Sequence, residues 1–314
     1  PGGVNKSMSL DEIHYLQDDI AQMIGWAQGA LELFKKVFFE QFDYNMGFAA
    51  IDTSMVSQIR ADGAFELYHG GLRARNHLGE TIFDHVDYVK YNDYIRESVK
   101  DWSYMKFPFI TSLGEEEGWY RVGPLARINN CDFISTPLAE AEREEFMAIG
   151  NGLPIQSTMA YHWARLIELL HCTEAIAELL CDSDIVGKDL RTKGELQSFG
   201  TGVIEAPRGT LFHHYEVDDE GIITKASLIV STTNNNQAMN ESIRKAANQY
   251  LDGRRLSEVL LNQVEVAIRA YDPCLSCATH AIGKMPMELN LVDDGGELID
   301  RLEKRANGQI DRTL

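Results

Sequence analysis

The residues best equipped for chemistry lie near the C-terminus, in Asp272-Pro-Cys-Leu-Ser-Cys-Ala-Thr-His280. Two thiols three positions apart, with an imidazole three further on, can face one small volume. On a helical first turn Cys274 and Cys277 share a side, and Pro273 suits the first helical position. A helix N-terminus favours thiolate over thiol, and thiolate is the form that binds metal. Sulfur ligands select zinc, iron–sulfur, copper or nickel rather than magnesium or calcium. The stretch is therefore expected to be a metal site, although a bare C-x-x-C also serves structural zinc or a redox pair. A c-type haem is disfavoured because His280 does not directly follow Cys277.

A tetrahedral thiolate site needs four ligands. The other cysteines are Cys131, Cys172 and Cys181, and no second C-x-x-C exists. Histidines and carboxylates complete the site, or its other half lies in sequence ahead of Pro1. The opening Pro1-Gly-Gly-Val-Asn5, without methionine, makes us expect a fragment or processed chain. Five cysteines at this density are no disulfide scaffold and suit a reducing, cytosolic setting.

Two further stretches carry polar chemistry. In 199–215, a Gly/Pro-rich loop leading into an aromatic segment, Arg208 sits between Pro207 and Gly209 on backbone expected to be rigid. It reads as a fixed guanidinium over a pocket or as a structural ion pair. The G-x-G there precedes neither lysine nor helix, so a nucleotide loop is rejected. Ser231-Thr-Thr-Asn-Asn-Asn-Gln237 is dense in donors and acceptors, or is an N-cap and polar loop before a helix.

The elements that must position these residues are mostly helical. Ser9-Leu-Asp-Glu12 reads as a capping box opening a helix to about Glu40, with Trp26, Leu31, Leu33, Phe34, Val37 and Phe38 as its buried stripe. Residues 46–100 switch to short apolar runs (Phe48–Ile51, Ala64–Tyr68, Val86–Val89) that suggest a small sheet. Trp102–Phe109 reads as a packed loop or edge segment, and Arg127 as a buried anchor or a solvent-facing cation. Thr136-Pro137 looks like an N-cap and first turn of a helix to about Ile149. A second long helix follows from Gln156 to about Cys181. Its Cys172 and Cys181 point to opposite faces and read as buried structural thiols. Its His162 and His171 read as ordinary histidines. Gly221–Val230 alternates like a strand, and Met239–Leu251 and Leu256–Tyr271 are helical. The fold class expected is mainly α with small β elements, an α+β chain.

With 314 residues, 44% of them hydrophobic, the chain can bury a substantial core. Against 29 basic residues stand 48 acidic ones, a net charge of −19. No basic stripe is available for nucleic acid or an anionic membrane. No apolar run is long enough to span a bilayer directly, and no secretory segment opens the chain.

Taken together, Glu205-Ala-Pro-Arg-Gly209 with His213, Val230-Ser-Thr-Thr233 and Asp272-Pro-Cys-x-x-Cys-x-x-His280 resemble, in that order, the large subunits of nickel–iron hydrogenases. Pro1-Gly-Gly-Val-Asn5, Ser103-Tyr-Met-Lys-Phe-Pro108 and Val122-Gly-Pro-Leu-Ala-Arg127 are similar to the cytoplasmic, NAD-linked bidirectional group, especially its cyanobacterial-type members. The resemblance covers essentially the whole chain and implies a long-helix bundle core. It implies a nickel–iron centre with carbon monoxide and cyanide on the iron, and reversible, heterolytic oxidation of dihydrogen. Cys274 would be a terminal nickel ligand and first proton acceptor, and Cys277 would bridge nickel and iron. His280 would bind a nearby magnesium, with the backbone carbonyl of Leu228 as co-ligand. Thr232 would hydrogen-bond a cyanide, beside Ser231 and Pro207, and Arg208 would sit above the open metal position. A guanidinium resists deprotonation, so Arg208 is expected to act electrostatically. His213 matches a family position as a packed histidine or a proton carrier.

The resemblance also implies partners: an iron–sulfur small subunit, a diaphorase with flavin and NAD(P), nickel-insertion proteins and a C-terminal endopeptidase. Two departures stand out. The family's other cysteine pair, in Arg-x-Cys-Gly-x-Cys, is absent, and the upstream acidic residue should be absent with it. A 34-residue extension, Ala281–Leu314, follows His280, and family precursors lose such a tail on maturation. Residues 1–280 are thus expected to be the C-terminal portion of a large subunit in one domain, and 281–314 a removable extension. Two other readings are a non-catalytic scaffold related to the quinone-site subunit of respiratory complex I, and a dihydrogen-sensing regulatory subunit. Retention of Cys274 and Cys277 argues against the scaffold.

Overall fold

The computed structural model describes residues 3–251, 255–275, 287–305 and 307–313. Helix α1 (Leu10–Glu40) starts as its sequence predicts. Ser9 Oγ accepts the Glu12 N–H at 3.3 Å and the Glu12 carboxylate accepts the Ser9 N–H at 2.9 Å. Its buried stripe is not the expected one. Ile13, Ile20, Ala27, Leu31 and Phe38 are buried, and Phe34 is partly so. Trp26, Leu33 and Val37 are 65%, 65% and 56% exposed. The helix is apolar on two adjoining faces, and periodicity alone could not say which one meets its neighbour.

After α2 (Phe42–Gly47) come β1 (Ser54–Ile59), β2 (Gly71–Arg75) and β3 (Thr81–Val86), then α3 (Tyr91–Tyr94) and the hairpin β4 (Ile95–Lys100) and β5 (Ser103–Ile110). Past α4 (Gly114–Glu117), β6 (Tyr120–Arg121) pairs parallel with β1, and the sheet runs β3-β2-β1-β6. The expected small sheet exists, but its central strand lies beyond the apolar run at 48–51. Strand β1, Ser-Met-Val-Ser-Gln-Ile, is buried along its whole length.

Helix α5 (Pro124–Asn130) is buried at every residue. Helix α6 (Pro137–Ala148) begins where expected, yet the Thr136 side chain does not cap it. Glu174, from α7 (Ala160–Leu179), accepts the Leu138 and Ala139 N–H groups at 2.9 Å each, while Thr136 Oγ1 pairs with His171 Nδ1 at 2.8 Å. Leu31 and Phe38 of α1, Leu125 and Ile128 of α5, Phe146 of α6 and Trp163 of α7 share one core.

Residues 199–206, read from sequence as loop, form strand β7 (Phe199–Ala206). With β8 (Gly209–Val217) and β9 (Ile223–Ile229) it makes a three-stranded antiparallel sheet, because its glycines are tolerated where Val203 and Glu205 point inward. A buried 3-10 turn, Ser231–Asn235, leads into α8 (Asn236–Tyr250), and α9 (Glu258–Ala270) follows. Strands β10 (Met287–Val292), β11 (Leu298–Lys304) and β12 (Ile310–Thr313) form a separate sheet. Leu302 of that sheet packs with Leu260, Leu261 and Val264 of α9. Asp300 accepts the Leu256 N–H at 2.8 Å and pairs with Arg312 at 2.6 Å. Helices thus dominate, with small sheets around them, which is the α+β class expected. Among the described residues no helix is long and apolar enough to cross a membrane.

Candidate metal centre

Three stretches far apart in sequence meet where α9 ends. The Cys274 N–H donates to Thr232 Oγ1 at 3.1 Å. Arg208 Nε donates to the Asp272 backbone oxygen at 2.5 Å and lies 3.4 Å from Asp272 Oδ2. Asp272 carries a φ of +50°, a left-handed residue that turns the chain sharply out of α9. Cys274, Thr232 and Arg208 are thus brought together. Cys277 and His280, with the helical turn expected for them, lie outside the described residues. Among the described residues no three His, Cys, Asp or Glu side chains gather as a metal site.

Thr232 is placed by its neighbours in the 3-10 turn, whose residues are all buried. Tyr120 Oη donates to Asn234 Oδ1 at 2.5 Å, and Asn234 Nδ2 donates to the Thr210 carbonyl at 2.9 Å. Asn235 Oδ1 accepts the Val122 N–H at 2.9 Å. The asparagines therefore tie the turn to β6 and β8, and Ser231 and Thr232 take their position from them. Buried amides satisfied in this way hold a segment in one conformation.

Arg208 stands at the tip of the β7–β8 hairpin. Ala206 pairs with Gly209, so Pro207 and Arg208 are the two loop residues. Gly209 has a φ of +137°, and a Cβ there would lie 2.1 Å from Val122 Cγ2. Gly123, φ +93°, approaches from the other side; its Cβ would lie 2.9 Å from the Arg208 carbonyl oxygen. Both glycines allow the tip to pack against the start of α5.

Beneath the tip lies Arg127, which is 2% exposed. Its Nε and Nη2 grip Glu168 at 2.6 and 2.7 Å, and Nη1 reaches Glu205 Oε2 at 2.8 Å. The same guanidinium donates to the Ala206 and Pro207 carbonyls at 2.9 and 3.3 Å. Burial works against its charge, and Glu168 and Glu205 more than offset this, holding the guanidinium above its usual value. Burial raises the Glu205 carboxyl above the usual carboxylate range, although Arg127, Thr210 and the Gln58 N–H all favour its charge. Sequence left Arg127 open between anchor and surface cation, and it is an anchor. Glu168 carried no signal in the sequence and Glu205 entered only as part of the Glu205–Gly209 motif, since they meet Arg127 only across 41 and 78 residues.

The remaining histidines and cysteines have environments of their own. His213 Nδ1 lies 2.9 Å from Tyr215 Oη, and His213 pairs in register with Leu228 of β9. Burial pushes the Cys131 thiol up to about 12, a poor state for metal binding. Cys172 is half-buried, and Cys181 is exposed rather than buried as expected, because α7 has ended before it. Burial, then the nearby Arg165 charge, pushes His162 down to about 4.

The nickel-dependent hydrogenase family model matches residues 8–280. The NAD-reducing hydrogenase HoxS subunit beta of Cupriavidus necator is 42% identical over 310 residues, spanning 96% of this chain and 63% of that protein. An F420-non-reducing hydrogenase subunit of Methanothermobacter thermautotrophicus is 38% identical, spanning 96% of this chain and 64% of that protein. The chain therefore spans less than two thirds of the length of these relatives. A crystal structure of an NAD+-reducing NiFe-hydrogenase in the H2-reduced state superposes with a TM-score of 0.85 at 47% identity, over 89% of this chain and 62% of that one. A match that begins just ahead of the first helix and ends at the histidine of the cysteine motif takes in every element that builds the site, and the chain belongs to the nickel-dependent hydrogenase family.

Proposed function

We propose that this chain is the part of a hydrogenase catalytic subunit that holds Cys274 and Cys277 to a nickel–iron centre and takes part in reversible oxidation of dihydrogen. The observation that carries this reading is the Cys274 N–H to Thr232 bond, which joins two stretches that the resemblance assigns to one site. The residues present fit the group. The Cys274 sulfur, disulfide-bonded in the structure, supplies a soft ligand once reduced to the thiolate. Thr232 Oγ1 accepts from the Cys274 amide and keeps its own O–H to donate to a further acceptor such as a cyanide nitrogen.

When bound, the centre, with carbon monoxide and cyanide on its iron, supplies heterolytic cleavage of dihydrogen. As a reduced thiolate, Cys274 Sγ would be the first proton acceptor. Arg208 acts as a fixed positive charge, oriented by Asp272, with Pro207 stiffening its loop and Ser231 lying beside Thr232. His280 and the Leu228 carbonyl would hold a magnesium. The resemblance would have the remaining thiolate ligands come from an Arg-x-Cys-Gly-x-Cys pair, which this sequence does not contain.

Electrons would leave through the iron–sulfur cluster of a small subunit to a diaphorase carrying flavin and NAD(P), in the cytoplasm. The relative named as an NAD-reducing hydrogenase subunit supports that acceptor. Removal of 281–314 by an endopeptidase, after nickel-insertion proteins have loaded the site, is supported by the family match ending at residue 280. The test is dihydrogen-dependent NAD(P) reduction by the chain assembled with its partner subunits and maturation proteins. Reduction that requires nickel supports the reading. A loaded assembly that binds dihydrogen without turning it over would favour the sensing role instead.

A further inference from the structure

The β7–β8 tip is a turn whose sequence suits a Pro-led unprimed type rather than the primed types that fit a hairpin's twist. Two-residue hairpin loops favour turn types I′ and II′, which need a positive φ at the first loop residue. Pro207 occupies that position, and its ring fixes φ near −65°. The unprimed turns that remain splay the strands against their natural twist. The Arg208 tip must therefore be held from outside the hairpin.

Arg127 is what holds it. A guanidinium has five N–H groups in a rigid fork. Arg127 meets five acceptors: both Glu168 oxygens, Glu205 Oε2, and the carbonyls of Ala206 and Pro207. The last two belong to the residues just before Arg208. The fork is itself fixed, because Glu168 stands on α7 and Glu205 is bonded to Thr210 Oγ1 at 2.7 Å and to the Gln58 N–H at 2.8 Å.

We propose that Arg127 is the positioning residue of Arg208: through the Ala206 and Pro207 carbonyls it sets where the Arg208 guanidinium stands against Asp272, two residues before Cys274. The consequence for turnover rests on the proposed function; the positioning does not. Lysine at 127 would keep the charge but has three donors on a flexible stem, and it cannot reach two carboxylates and two carbonyls in one geometry.

The experiment is amide deuterium exchange of the full chain, in its assembly, comparing parent, Arg127→Lys and Glu168→Gln. In Arg127→Lys, exchange in the peptide spanning Val203–Thr210 should rise by about tenfold or more, while peptides from α1 and β1 keep the parental rate. Glu168→Gln, which loosens one arm of the fork and leaves the Arg127–Glu205 pair, should raise the same peptide's exchange by a smaller factor. It decides the matter alone if Arg127→Lys does not fold. Turnover of dihydrogen by Arg127→Lys should fall on the order of a hundredfold in kcat with little change in KM, at unchanged nickel content. Parental exchange at the tip in the folded variants overturns the proposal, whatever the activity does. A parent assembly that oxidises no dihydrogen removes the proposed function but leaves the exchange result to decide the positioning.

Discussion

Thr232 Oγ1 accepts the Cys274 backbone N–H at 3.1 Å across 42 residues of sequence. The bond fixes the start of the cysteine motif to a turn that is itself clamped by Asn234 and Asn235. Thr232→Val keeps the shape but leaves the amide without its acceptor, and should lower stability by about 1–2 kcal/mol. Thr232→Ser keeps the oxygen and should lower it by less than about 1 kcal/mol. Denaturant unfolding of the two variants reads the difference. Dihydrogen oxidation should fall further in Thr232→Val than in Thr232→Ser, and equal behaviour of the two would show that the hydroxyl is idle.

Gly209 cannot carry a side chain without displacing Val122, which is fully buried. With its φ of +137° as well, Gly209→Ala should destabilise by about 2–4 kcal/mol. Adding Val122→Ala makes room for the new methyl, so the double variant should lose less than the sum of the two single losses. Strict additivity in that cycle would show that the two residues do not touch.

His162 gives stability a dependence on pH. Burial depresses its imidazole from 6.5 to about 4, and Nδ1 lies 3.3 Å from Arg165 Nη1, so the neutral ring accepts that bond. The folded chain therefore binds fewer protons here than the unfolded chain between pH 6.5 and 4. Stability from this group is complete above the unfolded value and is lost as pH falls toward the folded one. Between pH 7 and pH 5 the loss should be roughly 1–2 kcal/mol. His162→Gln should remove that share of the slope, seen as the difference between parent and variant unfolding curves across pH. Parallel curves would contradict the assignment.

The sequence disclosed local features well and long-range ones poorly. Ser9 and Glu12 bond to each other within one turn, so the start of α1 could be read directly. Which face of α1 is buried depends on α7, more than a hundred residues away, and Trp26, Leu33 and Val37 lie on the exposed side. The β7 segment looked like loop because its glycines hide an alternation that only pairing with β8 makes visible. At the site, Cys274, Thr232 and Arg208 were legible from their motifs. The role of Arg127 is not legible from sequence, since a lone arginine becomes an anchor only through Glu168 and Glu205. The Asn234–Tyr120 bond had no sequence signal at all, because a polar run before a helix looks the same whether it is solvated or buried.

Nickel held by Cys274 and Cys277 would show in the metal content of the assembled, matured protein. Elemental analysis should find about one nickel per chain in the parent, the stoichiometry of a single bimetallic site, and essentially none in Cys274→Ser or Cys277→Ser. A parent without nickel, or serine variants that keep it in full, would contradict the account.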